Sequence, residues 1–274
     1  MIAWQCPLCA TDEALALSAD GAARSYRCGA GHCFDVAREG YVNLLPVQQK
    51  KSLSPGDTLA SLQARRRFLA GGYYQPLRDD LAQRLSSADV VIDVGCGEGY
   101  YSAAMATVAA QVIAFDIAKP AMRLAAKSYP DLRCAVASGA AVPLPDACAD
   151  VLTSIFAPVP LAEMRRLLKP GGRALIVTPA PAHLFAYREA LFGQVRDHEP
   201  SKFAEASQPH FQMVSQQEIR YDIGLNQAAI IDLLDMTPYA YKASPERRRQ
   251  VAAMATLNTE AAFSVLVLTK PLSD

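Results

Sequence analysis

The residue types best suited to chemistry crowd the start of the chain. Of its seven cysteines, four lie within the first 33 residues, as Cys6-x-x-Cys9 followed by Cys28 and Cys33, with His32 between the last two. Cys6, Cys9, Cys28 and His32 make two hairpin-like ligand pairs, the arrangement by which thiolates and imidazole close a tetrahedral zinc site. Four protein ligands fill the shell and leave no position for a substrate, so the expected Zn2+ is structural. Cys33 directly follows His32 and offers an equally good thiolate; we take His32 as the fourth ligand. A redox role for Cys6 and Cys9 would expect a strand running into a helix, and nothing helical follows directly. The odd cysteine total argues against a disulfide framework.

A second concentration of chemistry lies in the backbone. Val91-Ile92-Asp93-Val94-Gly95-Cys96-Gly97-Glu98-Gly99-Tyr100 is a hydrophobic strand running into three alternating glycines. Glycine permits positive φ and removes the Cβ that would keep a ligand away, while a helix starting here offers free N–H groups. A dinucleotide fingerprint needs G-x-G-x-x-G or A, and Tyr100 occupies its last position. Asp116 ends the next strand, where a carboxylate accepts hydrogen bonds from both hydroxyls of a ribose. The glycine run by itself is equally compatible with a structural βα turn. Joined to Asp116, it resembles the class I S-adenosylmethionine methyltransferases, over roughly Ser86 to Leu268. Ser138, where that family contacts adenine, Val142-Pro143-Leu144-Pro145, and the turn Lys169-Pro170-Gly171-Gly172 extend the resemblance. It implies S-adenosylmethionine as cofactor, with Gly95, Gly97, Glu98, Asp116 and Ser138 around it. Asp93 reads equally well as a support for the loop or a contact for the methionine end. Glu98 is similarly open, although a sulfonium and an amino group favour nearby carboxylates.

These groups need a scaffold, and 274 residues suffice for one large α/β core plus an accessory module. The composition is 51% hydrophobic and 20% charged, ordinary for a globular chain. Lys plus Arg equals Asp plus Glu at 27 each, so any nucleic-acid surface must be a local patch. Lys50-Lys51 and Arg65-Arg66-Arg67 are suitable groups, whereas Arg165-Arg166 reads as a solvated helix face; Arg247-Arg248-Arg249 is a further cluster. No apolar run reaches the ~18 residues of a membrane span. The start lacks a basic stretch followed by an apolar one, so the expected location is cytoplasmic.

Residues 1–46 carry turn formers and no helical stripe, and read as a zinc-binding β module. Residues 47–85 read as a linker and two helices, one from Thr58 to Leu69 with Asp57 as a possible cap, the next from about Pro76. Residues 86–274 alternate β-branched runs with helical segments, as DVVIDVG, QVIAFD, LRCAVA, DVLTSIF and RALIVTP. AAFSVLVLTK follows another strand-like segment with no space for a second complete crossover, and is expected as an antiparallel edge strand. The expected fold is therefore α/β: a doubly wound, Rossmann-like class I methyltransferase sheet with an antiparallel edge strand, plus the small N-terminal zinc module.

Cys6-Pro7-Leu8-Cys9, Phe34-Asp35, Glu39-Gly40-Tyr41-Val42-Asn43-Leu44-Leu45-Pro46, Gln63-Ala64-Arg65-Arg66, Tyr74-Gln75-Pro76-Leu77, the segment from Thr178-Pro179 to His183-Leu184, and Met236-Thr237-Pro238 together resemble one family over nearly the whole chain. It is the 23S ribosomal RNA guanine-N1 methyltransferases, the RrmA group. The resemblance implies zinc at Cys6, Cys9, Cys28 and His32, and cofactor contacts from Tyr74, the Gly97-Glu98 turn and His183. It also implies a homodimer holding a hairpin loop of 23S rRNA in a cleft that contains the zinc modules. The chain departs from the family in the longer spacing between its ligand pairs, compared with enterobacterial members, and in having Cys33. Two other readings stay open: a methyltransferase acting on a small molecule, and a non-catalytic zinc-ribbon RNA-binding protein. No residue is singled out as the base for guanine N1; Asp197 and His198 read as solvated loop residues.

Overall fold

The computed structural model describes residues 2–9, 13–20, 23–49, 55–158, 160–195 and 205–272. Near the N-terminus β1 (Ala16–Asp20), β2 (Ala23–Arg27) and β3 (Cys33–Asp35) form a three-stranded antiparallel sheet. The next strand, β4 (Val42–Asn43), leaves that sheet and pairs in parallel with a strand of the main one. The segment that reads as zinc module thus ends as the outermost strand of the main sheet.

Two helices follow, α1 (Leu59–Ala70) and α2 (Gln75–Gln83). Thr58, not Asp57, is the cap of α1: its side chain accepts the Ser61 N–H, while Asp57 forms an ion pair with Arg65 at 2.6 Å. A carboxylate beside a guanidinium is drawn to the charge and leaves the cap to the neighbouring hydroxyl.

The main sheet is built from β5 (Val90–Val94), α3 (Tyr100–Ala106), β6 (Gln111–Asp116), α4 (Lys119–Ser128), β7 (Arg133–Val136), β8 (Ala149–Ile155), α5 (Leu161–Leu167) and β9 (Leu168–Pro179). After α6 (Phe185–Phe192) come β10 (Gln212–Asn226), three helices α7 (Gln227–Met236), α8 (Pro238–Lys242) and α9 (Pro245–Ala252), and β11 (Thr256–Thr269). The eight strands lie in the order β10-β11-β9-β8-β5-β6-β7-β4, with β10 and β11 antiparallel to their neighbours and the rest parallel. This is the doubly wound arrangement expected, with one difference. AAFSVLVLTK is antiparallel but not outermost, since β10 covers its far edge. The reason is burial: β11 is apolar on both faces, whereas β10 carries Gln216, Gln217, Glu218 and Arg220, the charged and polar dress of an edge strand.

Alternation along the parallel strands divides the core. Val91, Val112 and Ala114 face a cluster containing Leu62, Phe68, Leu77, Leu81 and Met105, contributed by α1, α2 and α3. Ile92, Ile113 and Phe115 face the other side, with Met164 and Leu167 of α5 and with Trp4, Cys6, Leu15 and Cys28. The N-terminal module thereby helps to cover the second face of the sheet. Gln5 donates its N–H to the Pro143 carbonyl, Arg133 donates to the Ile2 carbonyl, and the Arg133 guanidinium lies 4.9 Å from the Trp4 ring centre. Among the described residues no helix is long and apolar enough to cross a membrane.

Candidate functional site

The three glycines after β5 adopt positive φ, at 71° for Gly95, 58° for Gly97 and 88° for Gly99, a conformation that side chains with a Cβ resist. A Cβ on Gly95 would come within 2.6 Å of the Ala157 Cβ, whereas one on Gly97 would meet nothing nearer than Arg65 at 3.5 Å. Gly95 therefore serves close packing, and Gly97 faces open space. That space is a cavity of about 860 Å³, within the range of small-ligand sites. Its lining includes Asp93 to Glu98, Asp116, Ser138, Phe156 and Met236 to Pro238.

Asp116 is the polar anchor of this cavity. Its two oxygens accept the Gly97 N–H at 3.0 Å and the Ala118 N–H at 2.8 Å. Each oxygen keeps a lone pair for a ligand hydroxyl. Burial raises its pKa, against the lowering effect of these two bonds. Asp93, 1% exposed, accepts hydrogen bonds from Ser102 (2.5 Å) and Thr153 (2.7 Å). Burial pushes its carboxyl up to about 6, even against those two hydroxyls. These bonds tie β5 to α3 and β8, which gives Asp93 a loop-orienting role. Burial likewise raises Glu98, with Arg66 and Arg65 acting in the opposite direction.

Gly95, Gly97, Glu98, Asp116 and Ser138 all line the cavity, whereas Tyr74 and His183 do not. The latter two are 4% exposed and form a buried layer behind Phe156, with Tyr74 Oη 3.3 Å from His183 Nε2. His183 Nδ1 accepts the Ala262 N–H, so the neutral ring carries its proton on Nε2 and donates it to Tyr74. Two parts of the lining escaped sequence reasoning. One is Gly56, Asp57, Thr58 and Ser61 with Arg65, which read as linker and basic helix. The other is Phe156 to Pro158, whose position just beyond β8 was a usable signal, because ligands of open α/β sheets gather at the carboxyl ends of strands.

In the N-terminal module the side chains of Cys6, Cys9, Cys28 and His32 converge, with all ligand atoms within 4.8 Å of one another. His32 Nδ1 lies 3.5, 3.4 and 3.3 Å from the sulfurs of Cys6, Cys9 and Cys28, and the Cys9 and Cys28 sulfurs are 3.7 Å apart. A tetrahedron around zinc has S–S edges of about 3.8 Å and S–N edges of about 3.5 Å. The residues therefore fit the ion. Cys33 is exposed and stands outside the group. The Cys28 turn is closed by Gly31 N–H to Cys28 carbonyl and braced by Glu13, whose carboxylate accepts the Gly29 N–H at 2.5 Å.

The basic groups divide by what they touch. Arg65 and Arg67 are engaged by Asp57 and Asp232, and Arg166 by Glu163 and Asp146. Lys50 and Lys51 lie outside the described residues, as do Asp197 and His198. A second cavity, of about 1030 Å³, adjoins the first across Gly56 to Thr58, and Arg38, Lys119, Arg123 and Lys127 line it. Glu39 and Asp57 line it too, and Glu39 pairs with Arg123 at 2.9 Å, so the cations in excess are Arg38, Lys119 and Lys127 against Asp57.

Comparison with known proteins bears on both sites. Residues 4–53 match the family described as RlmA, N-terminal, and residues 92–176 match the methyltransferase domain family. A 23S rRNA (guanine(748)-N(1))-methyltransferase of Streptomyces fradiae is 36% identical, covering 98% of this chain and 96% of its own. A Bacillus subtilis protein named as a candidate 23S rRNA (guanine-N(1)-)-methyltransferase is 33% identical, covering 96% of each chain. A chain in the solved complex between the Haloferax volcanii Trm112 methyltransferase activator and a candidate methyltransferase shares the fold, with TM-score 0.51, 19% identity, and coverage of 80% of this chain and 100% of that one.

Proposed function

The chain belongs to the 23S rRNA guanine-N1-methyltransferase family, and from that premise we propose that it transfers a methyl group from S-adenosylmethionine to N1 of a guanine in a hairpin loop of 23S rRNA. The carrying observation is that a complete adenosine-type loop and a four-ligand metal module occur in one chain, docked on the same sheet. A small-molecule acceptor would leave the module without a purpose. A non-catalytic RNA-binding protein would leave the left-handed glycine loop and Asp116 without one.

Asp116 is assigned to the ribose hydroxyls, Gly97 to close backbone approach, Gly95 to the packing on Ala157 that holds the loop at the cofactor, Ser138 to the adenine side, and Glu98 to the positively charged methionine end. Tyr74 and His183 act through Phe156, which they support. Zinc at Cys6, Cys9, Cys28 and His32 holds the module in shape and takes no part in the transfer.

S-adenosylmethionine would supply an electrophilic methyl group: in an in-line displacement the N1–C bond would form as the S–C bond breaks, leaving a neutral thioether, with the N1 proton passing to a base or to solvent water. Holding the three atoms collinear supplies most of the rate. Guanine N1 is buried within a paired helix, so a loop base or an extruded nucleotide is the accessible form. Backbone phosphates of the RNA away from the reacting base are assigned to the cavity lined by Arg38, Lys119 and Lys127. The reading includes a cytoplasmic homodimer, as the family resemblance implies. It is tested by tritium transfer from labelled S-adenosylmethionine to 23S rRNA lacking its own methylation, followed by mass spectrometry of the nucleosides. Label in 1-methylguanine is the expected result; cofactor binding with no labelled RNA would move the activity to another acceptor.

A further inference from the structure

Phe156 has features that cofactor binding does not use. It follows the last residue of β8, adopts φ 55°, and is 42% exposed on the wall of the cofactor cavity. A bulky residue keeps a left-handed backbone only where its surroundings over-determine it, and such residues gather at functional sites. Here the turn is fixed three times. The Phe156 N–H donates to the Val177 carbonyl at 3.0 Å, the Ser154 hydroxyl donates to the Ala157 carbonyl at 3.2 Å, and Ala157 fills the space that a Cβ on Gly95 would need. The glycine loop and the Phe156 turn are one packed unit.

The ring is also backed. Tyr74, His183 and Phe263, none more than 4% exposed, lie behind it, with centroids 6.3, 6.3 and 5.6 Å away and His183 nearly parallel at 28°. A rigid aromatic layer thus supports a ring that keeps part of its surface open to the cavity. In the sheet, β8 lies on the other side of β5 from β6, which carries Asp116. The open ring is therefore off the adenosine side.

We propose that Phe156 is the platform on which the acceptor base stacks, an assignment that rests on the RNA-methylation reading above. Every base has a π face, and stacking on an aromatic ring sets the plane of a purine without reading its sequence. A fixed plane is what an in-line attack by a ring nitrogen requires. Tyr74 and His183 then become positioning residues that hold the platform.

The test compares Phe156→Ala, Phe156→Tyr, Phe156→Trp and Phe156→Gly with the unaltered protein, using unmethylated 23S rRNA and calorimetric S-adenosylmethionine binding. Phe156→Ala is expected to lower kcat/KM for the RNA about tenfold or more, with cofactor affinity unchanged. Phe156→Tyr and Phe156→Trp should stay within a few-fold of the unaltered protein, and the new tryptophan should be quenched on adding RNA. Phe156→Gly, which suits the backbone but has no ring, should be as impaired as Phe156→Ala. Activity retained in Phe156→Ala, recovered in Phe156→Gly, or lost in step with cofactor affinity would each overturn the assignment. An unaltered protein that labels no 23S rRNA would instead sink the functional reading, and the stacking assignment with it.

Discussion

Within the described part of residues 2–35 the buried apolar side chains are Trp4, Cys6, Leu15 and Cys28, whereas β11 alone buries every residue from Ala261 to Leu268. Two of the module's four are metal ligands, and all four belong to the cluster shared with the sheet. Among the described residues the module has no core of its own. A unit of about 45 residues buries too little apolar surface to offset its chain entropy, and makes up the difference with a metal and a dock. The cofactor sheet has apolar area enough to carry a strained backbone at Phe156, with its positive φ, and the buried Asp93. Chemistry in the module stabilises the fold, while in the sheet the fold stabilises the chemistry.

The comparison is broken most sharply by removing the metal. Binding of structural zinc contributes on the order of 10 kcal/mol to modules of this size. Chelation or Cys28→Ser should therefore unfold the module, and Trp4, the single tryptophan and 2% exposed, should report it by a red shift of its emission. S-adenosylmethionine affinity should stay within a few-fold while RNA methylation is lost; Cys33→Ser should do neither. An unshifted Trp4 emission after chelation would mean that docking alone holds the module.

Next in size is Gly95→Ala, which combines positive φ with contact on Ala157. The expected loss is about 2–5 kcal/mol, read as lowered stability and weakened cofactor binding. Adding Ala157→Gly should recover the steric part and leave about 1–2 kcal/mol for the backbone. No recovery would show that Gly95 contacts the ligand rather than its neighbour.

The smallest effect is a pH slope. The folded Asp93 carboxyl titrates near 6, above its ordinary 3.8. Between those values the folded chain holds a proton that the unfolded chain has released, so stability falls as pH rises through this window. The whole loss is at most about 3 kcal/mol. Urea unfolding of Asp93→Asn beside the unaltered protein from pH 4 to 7 should show a flatter profile for the variant. Parallel profiles would mean that the Ser102 and Thr153 hydroxyls keep Asp93 ionised throughout.

Both sites announced themselves in the order of residues because each rests on a local rule. Paired cysteines and a histidine at short spacing can close on one ion whatever surrounds them, and alternating glycines after an apolar strand permit a backbone that other residues resist. QVIAFD as a strand and Lys119 as a helix start are legible for the same reason: local periodicity and turn residues decide them. What had no local mark came from long-range packing. The choice of His32 over Cys33 depends on how the turn leading into β3 is folded, which brings His32 to the other ligands and leaves Cys33 exposed. β10 rather than β11 at the edge depends on which strand can afford to leave a row of N–H and C=O groups open. Tyr74 and His183 sit behind the cavity, and Phe156 on its wall, because strands distant in sequence converge there. The amino-acid sequence by itself determined the clustering of the candidate ligands, the glycine loop and the alternation that makes the sheet. Only the tertiary structure decided which aromatic ring stays open to a substrate, because exposure belongs to the assembled surface and not to any one stretch of chain.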